Sequence, residues 1–249
     1  MFRPIILQIR HVPNQTIIKS GFSSIADRYK AKTDLNQVKL VGSLTVDTFQ
    51  FKKSGLCSLT VKTFNSTDEN SYTIHSVHTV GYENLKAGQR IQISGRLRCD
   101  PFKLENNRTR ERLFIRAKQI ILLEDQKNTP AVDCNHIDIV GNVADKVIEN
   151  DNFSLIKLAH HYNREFEDEK KTFTNFLCVF LYDERLREFA RTLEVSDRIS
   201  IGGALGYKAN TFSTGKLIYS GYIKPKTIEK VIWNRHKRGA VMHVEHLEF

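Results

Sequence analysis

Aromatic and basic side chains stand side by side at several points along this sequence. Phe49 and Phe51 adjoin Lys52 and Lys53; Arg96, Arg98, Phe102, Lys103, Arg108, Arg110 and Arg112 crowd a second segment; Tyr207, Lys208 and Phe212 mark a third. Flat rings offer π-faces on which other rings stack, and guanidinium and ammonium groups neutralise phosphates. Together they suit a ligand made of planar bases on an anionic backbone. Any one of these rings is equally at home in a core, and any one arginine in a solvated loop. The recurrence of the pairing carries the reading.

The charge balance agrees with it. Lys and Arg number 38 against 28 Asp and Glu, a formal charge of +10 over 249 residues. Such an excess favours a polyanionic partner, because neutralised phosphates release their counterions. Catalytic patterns do not emerge: there is no Gly-rich phosphate loop, no His-Glu-x-x-His and no nucleophile elbow. His160 and His161 are adjacent, so on a strand they point to opposite faces and do not share one metal. Glu165, Glu167, Asp168 and Glu169 read as a solvated turn. Cys57, Cys99, Cys134 and Cys178 are too scattered for a zinc site or a disulfide framework, which fits a reducing compartment. No enzyme, cofactor or metal is expected. No run of about 18 apolar residues is present, which argues against a membrane-spanning helix.

Short β-branched runs broken by Gly, Asn, Asp and Lys must position these side chains. NQVKLVGSLTV, GLCSLTVKTF, SYTIHSVHTV, RIQISGRL and RLFIRAKQIILL make five strands in the first half. A polar stretch with Pro130 follows, and the pattern then repeats as HIDIVGNVADKVI, FSLIKLAHHY, KTFTNFLCVFLY, DRISIGGALGY and KLIYSGYIKPKTI. Gly141 falls where Gly42 stood, and Gly203 where Gly95 stood. Glycines inside strands mark bulges and sharp coiling, as a small closed barrel needs. The expected fold is all-β: two tandem five-stranded OB-fold barrels. Leu186, Phe189, Ala190 and Leu193 share one helical face behind a capping Asp183, which predicts a helix between strands 3 and 4 of the second barrel. The expected boundaries are 1–33 for an extension, 34–124 and 135–232 for the barrels, 125–134 for a linker, and 233–249 for a basic tail around Trp233. The first 33 residues carry Arg3, Arg10, Lys19 and Arg28, several serines, and no acid before Asp27. That composition reads as a mitochondrial transit peptide.

The strand motifs Asn36–Leu44, Leu85–Leu97, Ile137–Val143, Lys171–Phe180 and Val195–Leu205 resemble the bacterial and mitochondrial single-stranded DNA-binding protein family. The resemblance runs from about Asn36 to Lys230 as two copies. It implies stacking of bases on aromatic side chains of the barrel face. The family's third-strand Trp falls at Thr174 and is missing; its Phe falls on Phe180, with Phe176 on the same face. The aromatic after the second strand falls near Tyr162 or Arg164. In the first half the third-strand positions fall on Tyr72 and His78. Bacterial members of the family end in a flexible acidic tip that recruits partners, whereas this sequence ends His246-Leu-Glu-Phe249, which is compatible with the mitochondrial branch.

These readings converge on a mitochondrial protein that binds single-stranded DNA in replication and maintenance. RNA in a processing or editing complex is the alternative partner, and an assembly scaffold with little nucleic-acid affinity the third reading. The family's tetramers of single barrels imply a homodimer of this two-barrel chain, giving a four-barrel assembly.

Overall fold

Alternation writes the first barrel. Along β1 (Asn36–Leu44), Val38, Leu40 and Leu44 are buried while Gln37 and Lys39 are exposed, the period of a strand with one face on a core. The computed structural model describes residues 35–52, 54–64, 71–103, 109–123, 132–166, 169–211, 217–233 and 242–244. After β1 come β2 (Phe49–Phe51), β3 (Leu56–Phe64), β4 (Tyr72–Val80), β5 (Arg90–Lys103) and β6 (Thr109–Leu123). The second half holds β7 (Cys134–Val143), β8 (Ile148–Glu149), β9 (Ser154–Phe166), β10 (Glu169–Leu181), β11 (Arg198–Thr211) and β12 (Leu217–Trp233), and β13 (Met242–Val244) adds to β12.

Each half closes on itself. β1 pairs with both β5 and β3, and β7 with both β11 and β9, so β1-β3-β4-β6-β5 and β7-β9-β10-β12-β11 are rings of five. In each ring the third and fifth strands meet in parallel, at Val77↔Ile115 and at Val179↔Ile223. The chain is therefore two tandem OB barrels. The short β2 and β8 extend the sheet edges beside β3 and β9.

Glycine makes the closure sterically possible. A Cβ on Gly42 would lie 2.3 Å from the Lys62 carbonyl, and one on Gly141 would lie 2.6 Å from that of Ala159. Both sit where the first strand bends across to the second. Gly95 and Gly203 flank a register shift in the fourth strands, with carbonyls equally close.

The expected helix is α1 (Glu184–Arg191). Asp183 Oδ1 accepts from the Arg185 and Leu186 amides at 3.0 and 3.4 Å, satisfying donors the first turn leaves open. Leu186, Ala190 and Leu193 are buried against the barrel end. In the first barrel, Tyr82 and Leu85 pack there from a turn that uses Gly81 and Gly88 at positive φ.

The barrels join through their first strands. β1 and β7 pair antiparallel from Asn36↔Ile139 to Val41↔Cys134. Shifting each residue to its counterpart in the other barrel maps this ladder onto itself, with Val38↔Ile137 on a pseudo-two-fold axis. Beside it, Asn36 spans the Leu97 backbone, with its Nδ2 donating to the carbonyl at 2.9 Å and its Oδ1 accepting from the amide at 2.8 Å. Asn135 repeats the clamp on Leu205 at 2.8 and 3.0 Å.

Two stretches rich in basic and polar side chains, which have the composition of loops, are largely strand. Arg98↔Phe114 through Lys103↔Thr109 extend the β5–β6 ladder, and Tyr207↔Gly221 through Thr211↔Leu217 extend β11–β12. Backbone pairing between neighbouring strands proceeds whatever the charge of the side chains. The linker lies mostly outside the described residues.

Candidate nucleic-acid interface

The outer face of β9, β10 and β12 carries an aromatic platform. Alternation along β10 turns Leu177, Val179 and Leu181 inward and Phe176, Cys178 and Phe180 outward, with Tyr182 just beyond. Phe153, ahead of β9, lies 5.2 Å from Phe180 and 6.3 Å from Tyr182, centroid to centroid. Tyr222 of β12 meets Phe180 edge-on at 5.1 Å. Burial, together with a hydrogen bond to Tyr222, holds the Tyr182 phenol above its ordinary range. Phe176 and Tyr182 are 41% and 50% exposed, so their faces are open to a ligand. Lys157 Nζ stands 5.0 Å from the Phe176 ring centre, adding a cation beside the rings. The platform can hold flat, sequence-tolerant ligands with an anionic backbone.

Counting back from the parallel closing pairs sets Tyr72 opposite Thr174 in the pseudo-symmetry, Ile74 opposite Phe176, and His78 opposite Phe180. The first barrel's face is correspondingly different. Lys62 Nζ lies 4.5 Å from both Phe64 and Tyr72, which are cross-strand partners. His78 packs on Phe114 at 4.4 Å, the counterpart of the Phe180–Tyr222 contact. Burial lowers the His78 pKa, Arg112 and Arg116 add to the effect, and Asp100 opposes it.

Around these rings runs a basic strip. Arg96 and Arg116 are cross-strand partners, both exposed, and Arg112 and Lys118 are exposed on the same strand as Arg116. None of the four makes a salt bridge among the described residues. Two like charges directly opposite on a sheet repel, and an anion between them relieves this.

The remaining expected contacts are distributed unevenly. Phe51 is exposed and edge-on to Phe49 at 5.0 Å, with Lys52 exposed in the following turn. Lys208 is exposed on β11. Phe102 and Arg110 are cross-strand partners near the end of the β5–β6 arm, and the Arg164 backbone faces Lys171 in the β9–β10 arm. Lys53, Arg108 and Phe212 lie outside the described residues. Three expectations change character. Tyr207 stands on β11 against His75 of the first barrel, 5.7 Å between centroids, and burial pushes its phenol up. Arg98 and Tyr162 meet each other, with the guanidinium carbon 3.6 Å from the ring centre. All three serve the junction, where β5 meets the β9–β10 pair and β11 meets β4.

Phe64, Phe114, Phe153, Phe173, Tyr182 and Tyr222 were not singled out from sequence. Tyr182 was reachable by continuing the 176–178–180 alternation. Phe153 and Tyr222 required the register between strands, which no local pattern gives. His160 is buried, with Nδ1 2.9 Å from the Val140 carbonyl, and His161 is exposed beside Thr174 at 2.9 Å, so they occupy opposite faces. No group of three or more candidate metal ligands occurs among the described residues.

This geometry defines the chain as a tandem OB-barrel protein with an aromatic, basic outer face. Solved structures share the architecture. A deletion mutant of the single-stranded DNA-binding protein from Thermus aquaticus superposes with a TM-score of 0.63 at 21% identity, over 84% of this chain and 100% of that one. The wild-type Thermus protein gives 0.59 at 22% identity, over 83% and 98%. The shared fold thus spans both barrels. No protein-family profile and no characterised sequence matches the chain.

Proposed function

We propose that this chain is a non-enzymatic protein that binds single-stranded DNA on the outer faces of its two barrels. The observation that carries the reading is the Phe153, Phe176, Phe180, Tyr182 and Tyr222 platform with Lys157 beside it. The Thermus aquaticus proteins of the same fold, which bind single-stranded DNA, support it. The acid-poor first 33 residues support mitochondrial residence and a part in DNA replication and maintenance there. Two such chains would make a four-barrel homodimer.

The test is fluorescence anisotropy with labelled oligo-dT and oligo-U over a salt series. Binding of oligo-dT that weakens steeply with salt is expected, with oligo-U weaker. Tyr182→Ala and Phe176→Ala should each cost about 1–3 kcal/mol of binding, the worth of one stacked base, with circular dichroism unchanged. Tighter oligo-U binding would transfer the reading to RNA. Absence of binding to both strands at low salt would sink it.

A further inference from the structure

At the seam between the barrels, three side chains form a ladder. Arg98, from β5 of the first barrel, covers one side of the Tyr162 ring at 3.6 Å. Phe173 stacks on Tyr162 at 5.7 Å, with the ring planes 23° apart. Tyr162 belongs to β9 and Phe173 to β10, and the two are cross-strand partners in the second barrel. His160, buried on the same strand, also stacks alongside Tyr162, at 6.5 Å with the planes 12° apart. Among the described residues Tyr162 is the one ring that meets Phe173, which is 38% exposed. A cation beyond one ring and an open face on the next is an arrangement that takes one more flat ring.

The pseudo-symmetry supplies an internal control. The two Asn clamps make Leu97 and Leu205 equivalent, so the counterpart of Arg98 is Gly206. The counterpart of Phe173, next to the Tyr72/Thr174 pair, is Ser71. At Gly206 no side chain reaches across: an added Cβ would stand 2.5 Å from the Tyr222 ring, which fills that space. The molecule has two related flanks at its seam, and one of them carries the ladder. Arg96 is exposed on β5 two residues before Arg98, and its cross-strand partner Arg116 is exposed beside it; along β10 Phe173 falls on the side of Leu177, opposite to Phe176.

We propose that the open face of Phe173 is a base-stacking subsite at the seam, and that a bound single strand passes between the barrels on this flank alone. The inference rests on the proposed binding function and adds the route. Phe173 contacts the base; Arg98 is a positioning residue that holds Tyr162 flat beneath it.

The experiment uses the full chain with Trp233→Phe, so that one introduced tryptophan reports. Phe173→Trp and, separately, Ser71→Trp are titrated with oligo-dT, following tryptophan emission and the anisotropy of a labelled strand together. Emission from the Phe173→Trp protein should be quenched as the strand binds, and emission from the Ser71→Trp protein should hold. Adding Arg98→Ala to the Phe173→Trp protein should reduce the quench and weaken binding roughly two- to five-fold, the worth of an exposed cation–π contact. Binding without quenching at position 173, or equal quenching at both positions, overturns the route and leaves the binding function standing. No binding by any variant or by the parent removes both.

Discussion

Two asparagines do what strand pairing does elsewhere. Where β1 runs past its last partner on β5, the Asn36 amide offers a carbonyl and an NH2 in the geometry of a peptide, and Leu97 pairs with both, its amide donating and its carbonyl accepting. Asn36→Ala strands the Leu97 amide and carbonyl in a buried setting, at about 1–3 kcal/mol. Urea unfolding should register that loss, and Asn135→Ala, at a more open site, should cost less. The sequence carried a signal for the clamps: each stands six residues before the bend glycines Gly42 and Gly141. It was not visible as a function, because nothing in a lone Asn says that its partner lies 61 positions on. His75 presents a second residue-scale test. It is fully buried, 2.9 Å from Thr63 Oγ1, and burial lowers its pKa to about 4. An unfolded chain, with His near 6.5, takes up that proton first as the pH falls. The stabilisation is complete above 6.5 and drains away between 6.5 and 4, to a total of about 3 kcal/mol. His75→Gln should flatten the fall in melting temperature over this window relative to the parent.

At the scale of elements, strands and helix were legible for different reasons. Val38, Leu40 and Leu44 alternate with polar neighbours, and Leu186, Ala190 and Leu193 recur at helical spacing, so each element's buried face was written locally. The hairpin arms were not. The basic and polar side chains of 98–103 and 109–112 have the composition of a loop, yet the antiparallel ladder continues along both stretches. Junction contacts were beyond local pattern altogether. Tyr207 meets His75, and Arg98 meets Tyr162, only because β1 pairs with β7. A ring beside a cation therefore read as a ligand contact in each case. The platform was half legible: Phe176 and Phe180 from alternation and resemblance, Phe153 and Tyr222 only from register.

For the whole molecule the decisive quantity is the salt slope of binding. Each phosphate neutralised on a single strand contributes about 0.7 to the fall of log K with log salt. Arg112→Gln with Arg116→Gln should make the slope shallower by about 1.4, whereas Tyr182→Ala should lower affinity at an unchanged slope. Sedimentation at low-micromolar concentration should give a homodimer; a monomer there would count against the four-barrel assembly. Both measurements use the intact chain.

The self-mapping ladder between β1 and β7 has a consequence for how the two halves can change. In a dimer of identical subunits, each substitution appears on both sides of the axis, and a residue on the axis meets its own copy. Here Val38 faces Ile137 at that place. A tethered pair, held at high effective concentration by its linker, is released from this duplication. One flank can then acquire an arginine and a phenylalanine while the other keeps a glycine and a serine, so that a body of nearly two-fold shape gains a front and a back.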